Sequence, residues 1–418
     1  MKNVLDYISC SHSPFHAVLQ VKEALLEEGF IELDESKRFE LVPGGKYFLT
    51  RNGSSILAFV YPNEDTYGYH IAATHNDSPT FVLKPKPVIV SGDVTKLNVE
   101  PYGGAILYSW FDRPLSFAGR VYAKVGEEII CHYVDLDEDA LVIPSLAIHQ
   151  NREVNSSFAP NPAIDMVPLW LDETYEGDFD AYLAKKFGIG GTVLSHDLNL
   201  YVREEPRMVG GNQDLVLSPR LDDLACAFSS LLGFLEASKK PSKHIPVFVS
   251  FDNEEVGSLT QQGADSDFLV RTLQRIESAL GHDADGQGMA FANSILISAD
   301  NAHANHPNHP EKADPTTHVR LNGGIVIKHD AAQHYATNAE TSAYVKSLCE
   351  SLGDPYQEFN NKSDARSGST LGNISNAQIS LKCADVGIAQ LAMHSAVELC
   401  GYHDIFKMEA LLQAHFEG

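Results

Sequence analysis

From about Gly211 onward the chain alternates short apolar runs with longer helical ones, a pattern that few folds accept. The segments are "LDDLACAFSSLLGFLEA", "IPVFVSF", "SILISAD", "GGIVIKHD" and "GIAQLAMHSAVELC". Short unbroken runs rich in Val, Ile and Phe read as strands buried on both faces. Strands separated by helices build a parallel sheet covered on both sides. The N-terminal end joins the same pattern. "SPFHAVLQVKEALLEEGF" reads as a helix with Ser13 as N-cap, Pro14 at its first position and Gly29 just past its end. Phe15, Val18, Val21 and Leu25 line its inner face. "KYFLTRNGSSILAFVYP" is a hairpin turning at Asn52-Gly53, a pair that tolerates positive φ, and "YHIAATHNDSP" is a strand ending near His75. The expected fold is α/β, with a mixed, mostly parallel sheet and helices on both faces.

Between these halves the texture changes. From about Lys84, "LNVEPYG", "AILYSWF", "GRVYAKV" and "IICHYVDL" read as successive strands, followed by a polar helix at "DFDAYLAKKFG" and a strand at "HDLNLYVRE". The simplest organisation is one α/β domain built from residues 1–83 and 212–418, with a β-rich insertion at 84–211. The net charge of -25 excludes nucleic acid as a partner and disfavours anionic membranes, because little would replace the counterions of a phosphate surface. The cysteines at 10, 131, 226, 349, 383 and 400 form no CxxC pair, which suggests reduced cytosolic thiols. "MKNVLDYISCSHSPF" has no apolar signal core and no run reaches membrane-spanning length, so a cytoplasmic protein is expected.

The α/β strands end in one kind of residue. "IAAT" runs into His75 and Asp77, "FVSFDN" into Glu254 and Glu255, "ILISA" into Asp300 and "AQLAM" into His394, while Asp222 opens a helix in "SPRLDDLA". Ligands of open α/β sheets bind at the carboxyl ends of the strands, where these side chains converge. Each alone has a plainer reading: His75 as a core histidine, Asp222 as a helix cap, Asp300 as a turn residue. Together they fit zinc bound through nitrogen and oxygen. Two histidines and three carboxylates exceed what one open tetrahedral ion needs, and suit two ions sharing a carboxylate. In extended backbone Glu254 and Glu255 point to different sides, so one can bind metal while the other accepts a proton from water. No HExxH, GxSxG or Walker loop is present. His306 and His309, in "HANHPNHPEK", read as loop residues because of the prolines.

"ATHNDSP", "SPRLDDL", "FDNEEVGS", "SADNAHANHPN", "IKHDAAQHYATN", "GSTLG" and "LAMHSAVE", in this order, resemble the aspartyl aminopeptidase family of dinuclear zinc exopeptidases. "IPSLAIHQNREVN" extends the likeness into the insertion. The resemblance implies that His75, Asp222 and Asp300 hold one zinc and that Asp222, Glu255 and His394 hold the other, with Mn2+ or Co2+ as alternative ions. Glu254 would be the general base and Asp77 would orient His75. His303, Lys328 and Tyr335 would contact a peptide with an acidic N-terminal residue. His149 would reach a neighbouring subunit's site in a tetrahedral dodecamer assembled through the insertion. Asp223 and His334 depart from the family's Asn and Arg. The rival readings are a broad-specificity dinuclear hydrolase on the same scaffold, such as another aminopeptidase or a glycosidase, and a self-assembling scaffold with a silent site.

Overall fold

The computed structural model describes residues 3–63, 66, 68–171, 177–365 and 368–418. Among these residues the chain forms a nine-stranded, a seven-stranded and a five-stranded sheet. The centre of the nine-stranded sheet is parallel, in the order Ile245–Phe251, Tyr69–His75, Ile295–Ala299, Lys382–Gly387. Antiparallel neighbours flank it: the Lys46–Arg51 and Ser55–Val60 hairpin on one side, and Ile325–His329 on the other. The hairpin turns at Asn52 and Gly53, both with positive φ, as a type I′ turn requires.

Side chains alternate across these strands. In Ile245–Phe251, Val247 and Val249 enter one core while Phe248 enters the other. Helices Pro14–Glu27, Leu221–Ala237, Ala339–Leu352 and Tyr402–Glu417 pack on the Phe248 face, and Phe268–Leu280 and Leu371–Ile379 on the opposite one. Ser13 caps its helix, accepting the His16 N–H, a cap worth about 1 kcal/mol.

Strand order decides where a site forms. The chain leaves Tyr69–His75 for Ile245–Phe251 by way of the helix on one face. It then returns to the other side of Tyr69–His75, as Ile295–Ala299, by way of the Phe268–Leu280 helix on the opposite face. Crossovers on opposite faces leave a crevice at the carboxyl end of the middle strand, at His75.

The seven-stranded sheet runs between Thr80 and Val202 and is antiparallel. Thr192–Val202 also pairs with Leu115–Val125, so the sheet closes around its own core, which includes Phe81, Trp110, Phe117 and Leu198.

Three expectations need correction. "AILYSWF" is not a strand but a 3-10 turn at Leu107–Trp110, which buries Trp110 edge-on against Phe81 with ring centroids 5.2 Å apart. Gly103 and Gly104 precede it and Pro114 follows it. Ala389–Leu391 does not belong to the main sheet. It lies in the five-stranded sheet with Arg207–Val209, Leu215–Ser218, Glu398–Gly401 and Ala302–His303, which lacked a readable period because its strands are two to four residues long. Glu254 and Glu255 are not in extended backbone. They form a 3-10 turn after Asn253, whose φ is 62°, and both carboxylates come within ligand reach of His75.

Candidate metal centre

His75 is the last residue of its strand and Asp300 follows the end of Ile295–Ala299. Asp222 and Asp223 open the Leu221–Ala237 helix in non-helical conformation, directly after the small sheet's Leu215–Ser218. His394 comes from a loop of that same sheet, at φ 66°. Elements of two sheets thus converge on one cleft of about 470 Å³, lined by His75, Asp222, Glu254, Glu255, Asp300 and His394.

The spacing of the ligand atoms identifies what the cleft suits. His75 Nε2 lies 3.4 Å from Asp222 Oδ1, and His394 Nε2 lies 3.6 Å from Asp222 Oδ2 and 3.3 Å from Glu255 Oε1. His75 Nε2 is 3.9 Å from Asp300 Oδ1. Hydrogen bonds from nitrogen span about 2.7–3.2 Å. Two atoms each roughly 2.0–2.2 Å from one tetrahedral zinc stand about 3.3–3.6 Å apart. Asp222 therefore turns one oxygen towards each histidine. His75, Asp222, Asp223 and Asp300 form one group able to hold a metal ion, and Asp222, Glu255 and His394 form another; His75, Glu254 and Glu255 make a third within the same reach.

Two buried oxygens, Asp222 Oδ1 and Asp223 Oδ1, have no hydrogen-bond partner among the described residues. An unsatisfied buried carboxylate oxygen costs several kcal/mol unless a cation faces it. The donor set, imidazole and carboxylate without thiolate, is one that zinc accepts. Protons balance the cluster's charge when no cation is bound. Burial opposes a charge on His75, but Asp222, Asp300 and Asp77 outweigh it and raise its pKa well above the ordinary value. Burial pushes Glu254 up to about 8 and Glu255 well above the carboxylate range. A divalent cation displaces such protons, because metal ligands must be deprotonated.

Asp77 reaches three parts of the centre. Its backbone carbonyl lies 3.1 Å from His75 Nδ1, and its carboxylate accepts the backbone N–H groups of Glu254 and Glu255, each at 3.1 Å. Tyr102, from the seven-stranded sheet, donates its hydroxyl to the same carboxylate at 2.6 Å. Sequence reading missed Tyr102 and also Glu398. The buried Glu398 carboxylate accepts the backbone N–H of Asp222 at 3.0 Å and of His394 at 2.7 Å, so one side chain fixes ligands from two elements. Its place at the end of "LAMHSAVE" carried no chemical signal of its own. Gly103 and Gly104 were missed as well. Gly104 presents its carbonyl 3.3 Å from His394 Nδ1, and a Cβ on Gly103 would sit 3.1 Å from that of Glu255.

The other expected residues fall in different places. Lys328 is buried in the cleft, 3.5 Å from Asp300 Oδ2, donating to the Asn301 carbonyl at 3.1 Å and lying 5.3 Å from the Tyr335 ring centroid. His303 and Tyr335 line the cleft with it. Asp223 is fully buried and accepts the His75 backbone N–H at 3.3 Å. His334 lines a neighbouring hollow and pairs with Asp330 at 2.6 Å. His149 is on an exposed turn outside all three ligand groups. His306 and His309 also lie outside them.

The model of the aminopeptidase I zinc metalloprotease family, M18, matches residues 7–416. The chain belongs to the M18 family. It is a zinc metallo-aminopeptidase and a hydrolase. A probable M18 family aminopeptidase 2 of Clostridium acetobutylicum is 41% identical over 418 residues, covering 98% of this chain and 96% of the relative. A cryo-EM structure of Ape4 in complex with Nbr1 superposes with TM-score 0.94 at 35% identity, covering 99% of this chain and 84% of the other. The dodecamer of mature Ape1 from Saccharomyces cerevisiae superposes with TM-score 0.87 at 27% identity, covering 99% and 95%. No helix among the described residues of this M18 protein is long and apolar enough to cross a membrane.

Proposed function

We propose that this aminopeptidase removes N-terminal Asp or Glu from peptides at a centre of two zinc ions. One observation carries the reading: a single cleft is lined by the shared-carboxylate ligand set, by Glu254 and by the buried ammonium of Lys328. His75, Asp222 and Asp300 would hold one ion and Asp222, Glu255 and His394 the other; Mn2+ and Co2+ accept the same ligands. When bound, the zinc would supply Lewis acidity for the scissile carbonyl and for a water near neutral pH. Glu254 takes the proton from that water and passes it to the leaving amine. His303 donates to the oxygen on which charge develops. Asp77 keeps His75 oriented, and Lys328 with Tyr335 receives the acidic side chain.

One contact favours a second reading. Lys328 already faces Asp300, so it can serve the metal ligand alone, leaving specificity broad. A panel of aminoacyl anilides, run beside metal analysis, separates the two. Asp and Glu anilides should be cleaved at least about tenfold faster than Leu or Ala anilides. Equal rates sink the acidic preference, and no turnover by zinc-replete protein revives the silent scaffold.

The same proposal assigns residues 1–83 and 212–418 to catalysis and 84–211 to an inserted oligomerisation domain that builds a tetrahedral dodecamer. The S. cerevisiae dodecamer supports this, as do Ile129, Ile164 and Leu194, large apolar side chains left exposed in that region. His149 then completes a neighbour's site. Co-assembling His149→Ala with Glu254→Ala should restore part of the activity that each lacks, and verified mixed oligomers without recovery count against it. A cytoplasmic location is proposed because the six cysteines are unbridged; cell fractionation tests it.

A further inference from the structure

We propose that the cleft continues past the metal centre into a second, basic compartment that binds the leaving side of the peptide and favours acidic residues there. The proposal rests on the aminopeptidase reading of the first cleft. A neighbouring cavity of about 260 Å³ shares His303, Phe359 and Met393 with the cleft of the candidate metal centre, so the two adjoin along these side chains. Met393 directly precedes the ligand His394. An aminopeptidase holds one residue before the scissile bond, and everything after it must leave the centre. An extended peptide advances roughly 3.3 Å per residue, so its next residues run along whatever opens beside the ligands.

The chemistry of this compartment opposes that of the whole protein. The chain carries a net charge of -25, yet Lys312 and Lys362 line the cavity. Lys312 forms no close ion pair among the described residues, though its charge acts on the exposed Glu311 beside it, and Lys362 pairs with the exposed Asp364, at 3.3 Å. The one carboxylate of the lining, Asp314, is engaged in its own turn, accepting the Thr316 N–H at 2.8 Å and the Thr316 hydroxyl at 2.6 Å. A local cation pair in an acidic protein draws in negative ligands while the general field repels them elsewhere. The recognised chemistry is a peptide carrying Asp or Glu one or two residues beyond the scissile bond.

The test uses tripeptides headed by whichever residue the anilide panel shows is removed fastest, followed by Ala-Ala, Glu-Ala, Ala-Glu or Lys-Ala. Wild-type kcat/KM should favour the acidic peptides over Ala-Ala by about three- to tenfold, with the advantage shrinking as salt is raised. In Lys312→Met/Lys362→Met the ratio of acidic to neutral peptides should fall to about one, a comparison independent of the absolute rate. Lys312→Glu should turn the preference towards Lys-Ala. Equal rates across the series in wild type, or an acidic preference retained by the double variant, would falsify the compartment's role. An anilide panel favouring Leu would overturn the acidic N-terminal preference instead, and the same series headed by Leu would still decide this proposal.

Discussion

Glu254→Gln is expected to keep its zinc and to lose roughly 10²–10⁴ in kcat, the range for removal of a general base. The substitution preserves shape, and the backbone of residue 254 stays anchored by its N–H to Asp77 Oδ1 at 3.1 Å. It removes the carboxylate's charge and with it the capacity to take a proton. The carboxylate of Glu254 makes no hydrogen bond among the described residues, so the amide breaks none. Glu255→Gln should behave differently. Its Oε1 is 3.3 Å from His394 Nε2 in a three-residue ligand group, and weakening that group lowers zinc content per subunit. Geometry alone also groups Glu254 with His75 and Glu255 within ligand reach. Zinc content and anilide turnover, measured on both variants, separate base from ligand. Loss of zinc in Glu254→Gln together with full activity in Glu255→Gln reverses the assignment.

The parts of this centre that could be read from sequence are those whose chemistry sits at the end of a long apolar run. His75 and Asp300 terminate strands that are buried on both faces, and a buried strand announces itself by composition. His394 was singled out by residue type but misplaced, because the three-residue strand before it, Ala389–Leu391, belongs to a small sheet assembled from three separate stretches of the chain. Such a sheet has no local period, because strands of two to four residues are too short to show one and its two short-range pairs, Arg207–Val209 with Leu215–Ser218 and Ala389–Leu391 with Glu398–Gly401, are joined only by distant pairing. Tyr102 and Glu398 stayed invisible for a related reason. Tyr102 joins Asp77 across 25 residues of sequence, and Glu398 joins Asp222 across 176, and neither contact leaves a spacing to read. Glu254 and Glu255 were singled out as a pair for their chemistry, but the backbone that carries them was misread. Asn253, a residue that tolerates left-handed backbone, starts a turn where continued extension was expected.

Lys328→Leu is expected to collapse kcat/KM on Asp anilide by about 30- to several-thousand-fold, while sparing or raising any activity on Leu anilide. The range follows from the roughly 2–5 kcal/mol that removing one partner of a desolvated charge pair costs. Lys328 is 2% exposed; burial works against its charge, and Asp300, Tyr335 and Asp385 outweigh that and raise its pKa. Of its three N–H donors, one reaches the Asn301 carbonyl and one faces Asp300 Oδ2, which leaves one for a substrate carboxylate. For the proposed acidic preference the protein's net charge of -25 calls for a local cation, because the general field repels an acidic side chain. Arginine is no equal substitute: a planar fork needs more room than a compact ammonium beside Asp300. If Lys328 serves only to offset Asp300, its loss perturbs the His75 ligand group, and zinc content and both anilide rates fall together. A selective loss on Asp anilide at full zinc occupancy is therefore the outcome that ties the buried cation to the acidic end of the substrate.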